Sequence, residues 1–321
     1  MGYKISILAV ENCMQSSVTG IYDILSVASN QWMMSGGRSE LFELSIVSYD
    51  GLPVRSFNGL EITPHYGVND CNPDIIFIPV VLGELETSLS NRPLINWIKD
   101  QNKNSVVICA VCAGVFLAAE TRLLKNRTAT THWNLAEDFQ KRYPDISLKK
   151  EKMLIDEGDF ITAGGVSAYM DLALYIAGKY GSRELALTIS KILLIDPIRK
   201  SQTPYSGFNF NLKHGDEAIL KIQKYLEKNY SKALKIRYLA DKAGLSERTF
   251  ARRFRKATGE TPLEYLRFIR IGKARSLLET TLDSVDSITY ATGYEDVSSF
   301  RRLFKKITGL SPSAYRKKFG L

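Results

Sequence analysis

The last third of this 321-residue chain contains one pattern twice, and few folds can accommodate that. Phe250, Phe254, Gly259, Pro262 and Tyr265 recur fifty positions on as Phe300, Phe304, Gly309, Pro312 and Tyr315. Five matches in one register, mixing apolar anchors with backbone punctuation, are hard to obtain by chance. Each copy opens with a short helical pattern and a Gly: Leu239-Ala240 to Ala243-Gly244, then Ile288 and Ala291 to Gly293. Helix, glycine turn and second helix is the form of a helix-turn-helix, whose second helix enters the DNA major groove. The chain is expected to carry two in tandem.

The outward face of each second helix follows from its period. Phe250 and Phe254 are i, i+4 neighbours and face the core. The opposite face then holds Arg248, Thr249, Arg252, Arg255 and Lys256. In the second copy Phe300, Leu303 and Phe304 mark the buried side. Ser298, Arg302 and Lys305 point outward, with Arg301 on the flank. Arg with Ser or Thr, backed by an apolar stripe, suits phosphate and base-edge contacts on double-stranded DNA. One basic helix face is commonly only a solvated surface. Two at a fixed spacing argue against that.

Between the copies, Pro262–Thr280 reads as a helix with Pro in its first turn, where a missing N–H costs nothing. Its nineteen residues span about 28 Å, close to the ~34 Å repeat of B-DNA. Both recognition helices are thus expected to reach successive major grooves. With these residues, Leu234–Phe319 resembles the DNA-binding domain of the AraC/XylS family of bacterial regulators. The stretches LADKAGLSERTFARRFRKATGETPLEYLR and ITYATGYEDVSSFRRLFKKITGLSPSAYR carry the resemblance. Thr289 departs from it, standing where the family usually has Ala.

Charge divides the chain. Residues 216–321 hold 23 Lys/Arg against 12 Asp/Glu, and residues 1–215 hold 20 against 22. Basicity confined to one end is expected where one domain meets a polyanion. No apolar run approaches the ~20 residues of a membrane span, so no membrane partner is expected. Met1–Val10 reads as a strand rather than a signal peptide. Four scattered cysteines fit a reducing, cytoplasmic setting. With only three His, no structural metal and no cofactor are expected.

The first two thirds alternate strand and helix signals. Tyr3–Val10, Leu44–Tyr49, Ile75–Val81 and Val106–Val111 read as strands, most of them apolar enough for burial on both faces. Helical patterns lie around Gly20–Ser35, Pro93–Asn102, Ala113–Glu120, Trp133–Tyr143, Ala168–Tyr180 and Ser182–Leu194. A hairpin is expected through Leu148–Ile161, turning near Glu157-Gly158. The alternation implies an α/β sandwich on a mainly parallel sheet. Residues 196–215, with Pro197, Pro204, Gly207 and Gly215, read as a linker. The expected domains are therefore 1–195 and 216–321.

The chemically most pointed stretch is VVICAVCAGVFLAAE. A buried strand ends at Cys112 and turns through Ala113-Gly114 straight into a helix. Such an elbow exposes a side chain beside a helix N-terminus and lowers a thiol's pKa. It also lies at the carboxyl edge of the sheet, where ligands bind in open α/β folds. His132, in TATTHW, is a candidate partner, or else a capping and packing residue. Residues 3–195 resemble the ThiJ/PfpI class, related to class-I glutamine amidotransferases, in the variant fused to AraC-type domains (GlxA-like regulators). VCAGVFLAAETRLLKNRTATTHW and FITAGGVSAYMDLALYIAGKYG carry the likeness.

That resemblance implies a flavodoxin-like sandwich, followed by the all-α domain of two tandem helix-turn-helix motifs. In the family's enzymes the elbow Cys is the nucleophile, with His and an acidic residue nearby. Here the segment after the first strand, Ser16-Ser17-Val18-Thr19-Gly20-Ile21, lacks the acid and the family's Pro. Pro79–Gly83 is bulky where a Gly-rich oxyanion turn is expected, and Tyr169 replaces a usual Gly and narrows the pocket. Glu11 is the remaining candidate carboxylate. The reading is a regulator, not an enzyme, with an effector site at Cys112, Ala113, Gly114, His132 and Glu11. The alternatives are a Cys-dependent amidase or hydratase with a DNA-binding tail, and a constitutive DNA-binding protein whose front domain serves assembly. The resemblance further implies a homodimer through the first domain and a nitrogen-containing metabolite as effector, such as an amino acid or betaine.

Overall fold

The computed structural model describes residues 2–196, 199–208 and 210–320, so Pro197 lies outside the described residues. The chain divides into two compact units, residues 1–202 and 203–321. Residues 196–215, expected as a linker, are thus shared between them. Arg199 pairs with Asp171, and the buried Gln202 is hydrogen-bonded within the first unit. Pro204 and Ser206 instead give their carbonyls to Arg275 of the second unit.

In the first unit the strands are β1 (Tyr3–Leu8), β2 (Phe42–Ser48), β3 (Val54–Arg55), β4 (Glu61–Ile62) and β5 (Tyr66–Gly67). They continue with β6 (Ile75–Ile78), β7 (Val107–Val111), β8 (Thr128–Ala129), β9 (Ser147–Leu148), β10 (Leu154–Asp156) and β11 (Phe160–Ala163). Seven form one sheet in the order β10-β11-β7-β6-β1-β2-β5. All neighbours run parallel except β10, which is antiparallel to β11. The four strands read from sequence are the sheet's centre. Ile5 lies between Leu44 and Ile75, and Phe77 lies opposite Cys109. The hairpin pairs β10 with β11, turning at Glu157-Gly158, while Leu148 belongs to the separate β8–β9 pair. The short β3–β4 hairpin and β5 carried no alternating pattern long enough to predict.

The helices of this unit are α1 (Gln15–Met34), α2 (Leu85–Leu89), α3 (Arg92–Lys103), α4 (Gly114–Glu120), α5 (Ala136–Arg142), α6 (Ala168–Tyr180) and α7 (Arg183–Ile192). Helix α1 starts five residues before the predicted Gly20. Its first turn is polar and lacks a side-chain cap, so sequence offered no start signal. Strand β2 runs out to one side of β1 and β6 returns on the other. The topological switch point therefore lies between β1 and β6, the ligand-binding place of open parallel sheets.

The second unit is all α: α8 (Glu217–Asn229), α9 (Ile236–Lys242), α10 (Glu247–Thr258), α11 (Pro262–Thr280), α12 (Val285–Ala291), α13 (Val297–Thr308) and α14 (Pro312–Phe319). Two separate cores divide α11 between them. Tyr265, Leu266 and Ile269 join Phe250 and Phe254, while Ile271, Ala274 and Leu278 join Phe300 and Phe304. Ser246 and Asp296 cap α10 and α13, and Gly259 and Gly309 end them in left-handed conformation. Thr261 and Glu264 form a reciprocal capping box on α11. The repeat is not perfectly even. Phe250 and Phe300 are 50 apart, but Gly244 and Gly293 are 49 apart, so the second turn holds one extra residue.

Candidate functional site

In the second unit, α10 and α13 present the predicted faces. Phe250 and Phe254, like Phe300 and Phe304, are fully buried. Arg248, Arg252, Arg255 and Lys256 are exposed, and none has a carboxylate within 4 Å among the described residues. Thr249 is half-buried and takes part in the cap, its hydroxyl 3.0 Å from Ser246 Oγ. Ser298, Arg301, Arg302 and Lys305 are exposed. Arg301 pairs with Asp286 at 2.9 Å, and Arg302 donates to Ser299 Oγ at 3.0 Å. Lys306, fifty residues after Lys256, is exposed too; reading the repeat offset strictly would have found it. Arg253 belongs elsewhere. It holds Asp216 through two bonds of 2.9 and 2.7 Å, and that contact keeps the Asp216 carboxyl below its usual range.

In the first unit the elbow is real. Cys112 sits at φ 55°, a left-handed conformation that costs a non-glycine residue on the order of 1 kcal/mol or more. Its N–H donates to the Ala163 carbonyl at 2.7 Å, and its own carbonyl accepts from Thr131 Oγ1 at 2.6 Å. A Cβ on Gly114 would lie 2.2 Å from the Pro79 carbonyl oxygen, so only glycine lets the helix start this close to the sheet. Ala113, between them, is buried.

The expected thiol activation is not there. Cys112 is buried, and burial pushes its pKa up to about 11 against the opposing help of the Ala113 and Gly165 backbone. Desolvation outweighs the elbow's backbone amides. His132 is half-buried and its Nδ1 accepts from Asn134 N–H at 3.1 Å, which caps a short helical turn. Its ring lies 5.3 Å from that of Trp133, and burial lowers its pKa. Among the described residues no carboxylate oxygen comes within 4 Å of it. Glu11 therefore does not orient His132. It is exposed in the turn after β1, where its carboxylate accepts from Arg55 N–H at 3.4 Å.

The bulky turn after β6 has also used its amides. Val80 N–H donates to Ser17 Oγ at 3.1 Å and Leu82 N–H to the Asn12 carbonyl at 2.9 Å. Tyr169 is buried with its ring against α1, only 2.6 Å from where a Cβ on Gly20 would stand. The cavity at the switch point, about 410 Å³, is lined by Met14, Gln15, Ser16, Thr19, Phe57, Asn58 and Leu82 rather than by Cys112 or His132. Gln15 Oε1 is buried there with no hydrogen-bond partner in the described residues. A buried, unpaired amide oxygen is unusual and invites a donor. Sequence gave no sign of Gln15, because a lone Gln at a helix start carries no pattern.

Comparison with known proteins follows the same division. Residues 4–179 match the DJ-1/PfpI family and residues 239–318 match a helix-turn-helix domain. The transcriptional regulator CdhR of Pseudomonas aeruginosa is 28% identical over 281 residues, 87% of this chain and 82% of that one. GbdR, a transcriptional regulator of the same species, is 26% identical over 319 residues, 98% of this chain and 84% of that one. A ThiJ/PfpI family protein from Pseudomonas syringae shares the fold, with TM-score 0.53 and 20% identity over 62% of this chain and 77% of that one. No helix among the described residues is long and apolar enough to cross a membrane. The chain belongs to the DJ-1/PfpI family, in the form that carries an AraC-type helix-turn-helix domain and is built as a DNA-binding transcriptional regulator.

Proposed function

We propose that the chain is a one-component regulator: its second unit binds duplex DNA by sequence, and its first unit receives a small effector instead of catalysing a reaction. The carrying observation is the repeated basic face, with Arg248, Arg252, Arg255 and Lys256 on α10 and Ser298, Arg302 and Lys305 on α13. Exposed Arg and Lys supply phosphate contacts, and Arg near a helix N-terminus supplies base-edge contacts. The elbow speaks against turnover. A nucleophile needs a thiolate, a base and an orienting acid, whereas Cys112 is held neutral and His132 serves as a cap.

The effector site in this reading lies at the switch-point cavity, beside rather than on the elbow. Its walls are mostly apolar and include Gln15, whose Oε1 is buried with no donor among the described residues. That chemistry suits a small nitrogen-containing metabolite that offers an N–H. Dimerisation through the first unit belongs to the same reading, since Ile192 and Leu194 expose apolar side chains that a second copy would cover.

The test uses the full chain. Binding to duplex DNA should fall steeply with salt, as Lys and Arg displace condensed counterions. Amides, isonitriles and α-oxoaldehydes should give no turnover that depends on Cys112. Salt-insensitive or absent DNA binding, or turnover abolished by Cys112→Ser, would overturn the proposal.

A further inference from the structure

Three parts of the second unit meet at one half-buried cation. Arg270 stands in the middle of α11, where the two apolar cores part. Its Nε donates to the Tyr230 carbonyl at 2.7 Å and its Nη2 to the Lys232 carbonyl at 2.9 Å, both in the loop between α8 and α9 of the first motif. Its guanidinium lies 5.3 Å from the centroid of the Tyr294 ring, in the turn of the second motif. Among the described residues no carboxylate lies within 4 Å of it. Burial lowers its pKa, so the side chain is half out of water without a counter-ion. Among the described residues, two carbonyls and an aromatic face compensate it.

The same turn touches the first motif directly. Gly293 has φ 85°, and a Cβ there would lie 2.5 Å from the Ser231 carbonyl oxygen. Tyr294 is the next residue, in the turn that holds the extra position of the second repeat. Its ring packs on Phe300, at the start of the recognition helix α13, with centroids 5.3 Å apart. Its hydroxyl is buried without a hydrogen-bond partner among the described residues.

We infer that Arg270, with Tyr294 and the Ser231–Gly293 contact, is a positioning lock that fixes the spacing of the two recognition helices and hence of the half-sites on DNA. The two cores share α11, and Phe208 and Phe210, stacked on each other, pack on the second and the first core in turn. Arg270 ties the loop of one motif to the turn of the other. This inference rests on the DNA-binding reading above.

The experiment is selection of duplexes from a random-sequence pool by the full chain, followed by affinity for the selected site with one base pair inserted between its halves. The wild type should enrich two submotifs at one spacing and lose at least about tenfold on insertion. Arg270→Met should keep both submotifs, accept several spacings and lose no more than about threefold on insertion. Far-UV circular dichroism checks that the variant is folded. If Arg270→Met is not, Tyr294→Leu, which keeps an apolar contact with Phe300, is read by the same two outcomes. A folded variant with wild-type spacing stringency would overturn the lock alone. A wild type that enriches no motif would overturn the DNA-binding reading and the lock with it.

Discussion

The side-chain amide of Gln202 donates to the Thr131 carbonyl at 2.8 Å, and Thr131 Oγ1 in turn donates to the Cys112 carbonyl at 2.6 Å. The last residue of the first unit is therefore tied to the elbow. Gln202 also donates to the Lys152 carbonyl and accepts from Trp133 N–H. Replacing it with Leu strands the Trp133 N–H and leaves the Thr131 carbonyl only the longer bond from Thr130 Oγ1, at 3.4 Å, at roughly 1–3 kcal/mol for each fully stranded group. Gln202→Leu should destabilise the first unit by about 2–4 kcal/mol. All three tryptophans, Trp32, Trp97 and Trp133, lie in that unit, so urea unfolding followed by their fluorescence reads it selectively. A loss below about 1 kcal/mol would show that the tie is dispensable.

Thiol burial makes a pH prediction. The Cys112 and Cys13 pKa values rise from 9.0 in the open chain to about 11 in the fold. A raised folded pKa contributes stability that is fully present below pH 9 and is lost as pH climbs towards 11. At about 1.4 kcal/mol per unit, each thiol is worth up to about 3 kcal/mol over that window. The urea midpoint should fall between pH 8.5 and about 11, and Cys112→Ser should fall less. Equal losses in both chains would contradict the assignment. So would iodoacetamide labelling of Cys112 that is already maximal at neutral pH.

The boundary at Thr203 has a consequence for fragments. Arg275 gathers the Pro204 and Ser206 carbonyls, and Phe208 and Phe210 pack on Phe268 and Tyr265 of α11. A fragment of residues 203–321 should melt well above one of residues 216–321, which strips those contacts. Burying two aromatic rings is worth several kcal/mol. Identical melting temperatures would show that 203–215 is a passive tether.

Three arginines on α10 should behave in two ways. Arg248→Ala and Arg252→Ala should each reduce the preference for a selected site over random duplex by roughly 1–3 kcal/mol. Arg253→Ala should leave that preference intact, because Arg253 is spent on Asp216. Competition binding with both duplexes separates the cases. Loss of preference in Arg253→Ala alone would invert the face assigned to α10.

Sequence showed most of the architecture, because long-range order was written in short-range pattern. The Phe and Gly repeat, Pro262 and the apolar runs of β1, β6 and β7 each follow from one helix or strand period. What stayed hidden depended on burial depth or on partners distant in sequence. The elbow's rule predicts an activated thiol, but Cys112 is covered, and cover outweighs the backbone amides. Residues 196–215 have linker composition, yet Gln202 and Pro204 are anchored by residues some seventy positions away. Gln15 and Arg270 belong to no motif. Only the fold shows that, among the described residues, one is an acceptor without a donor and the other a cation without an anion.

The central claim is that one chain places two equivalent helices on DNA. Hydroxyl-radical and methylation footprinting of the full chain on a selected duplex tests it most directly. Two protected major-groove segments about one helical turn apart for each bound chain, ~34 Å along the axis, are expected. Both should disappear together as salt rises. A single protected groove, or protection indifferent to sequence, would contradict the account.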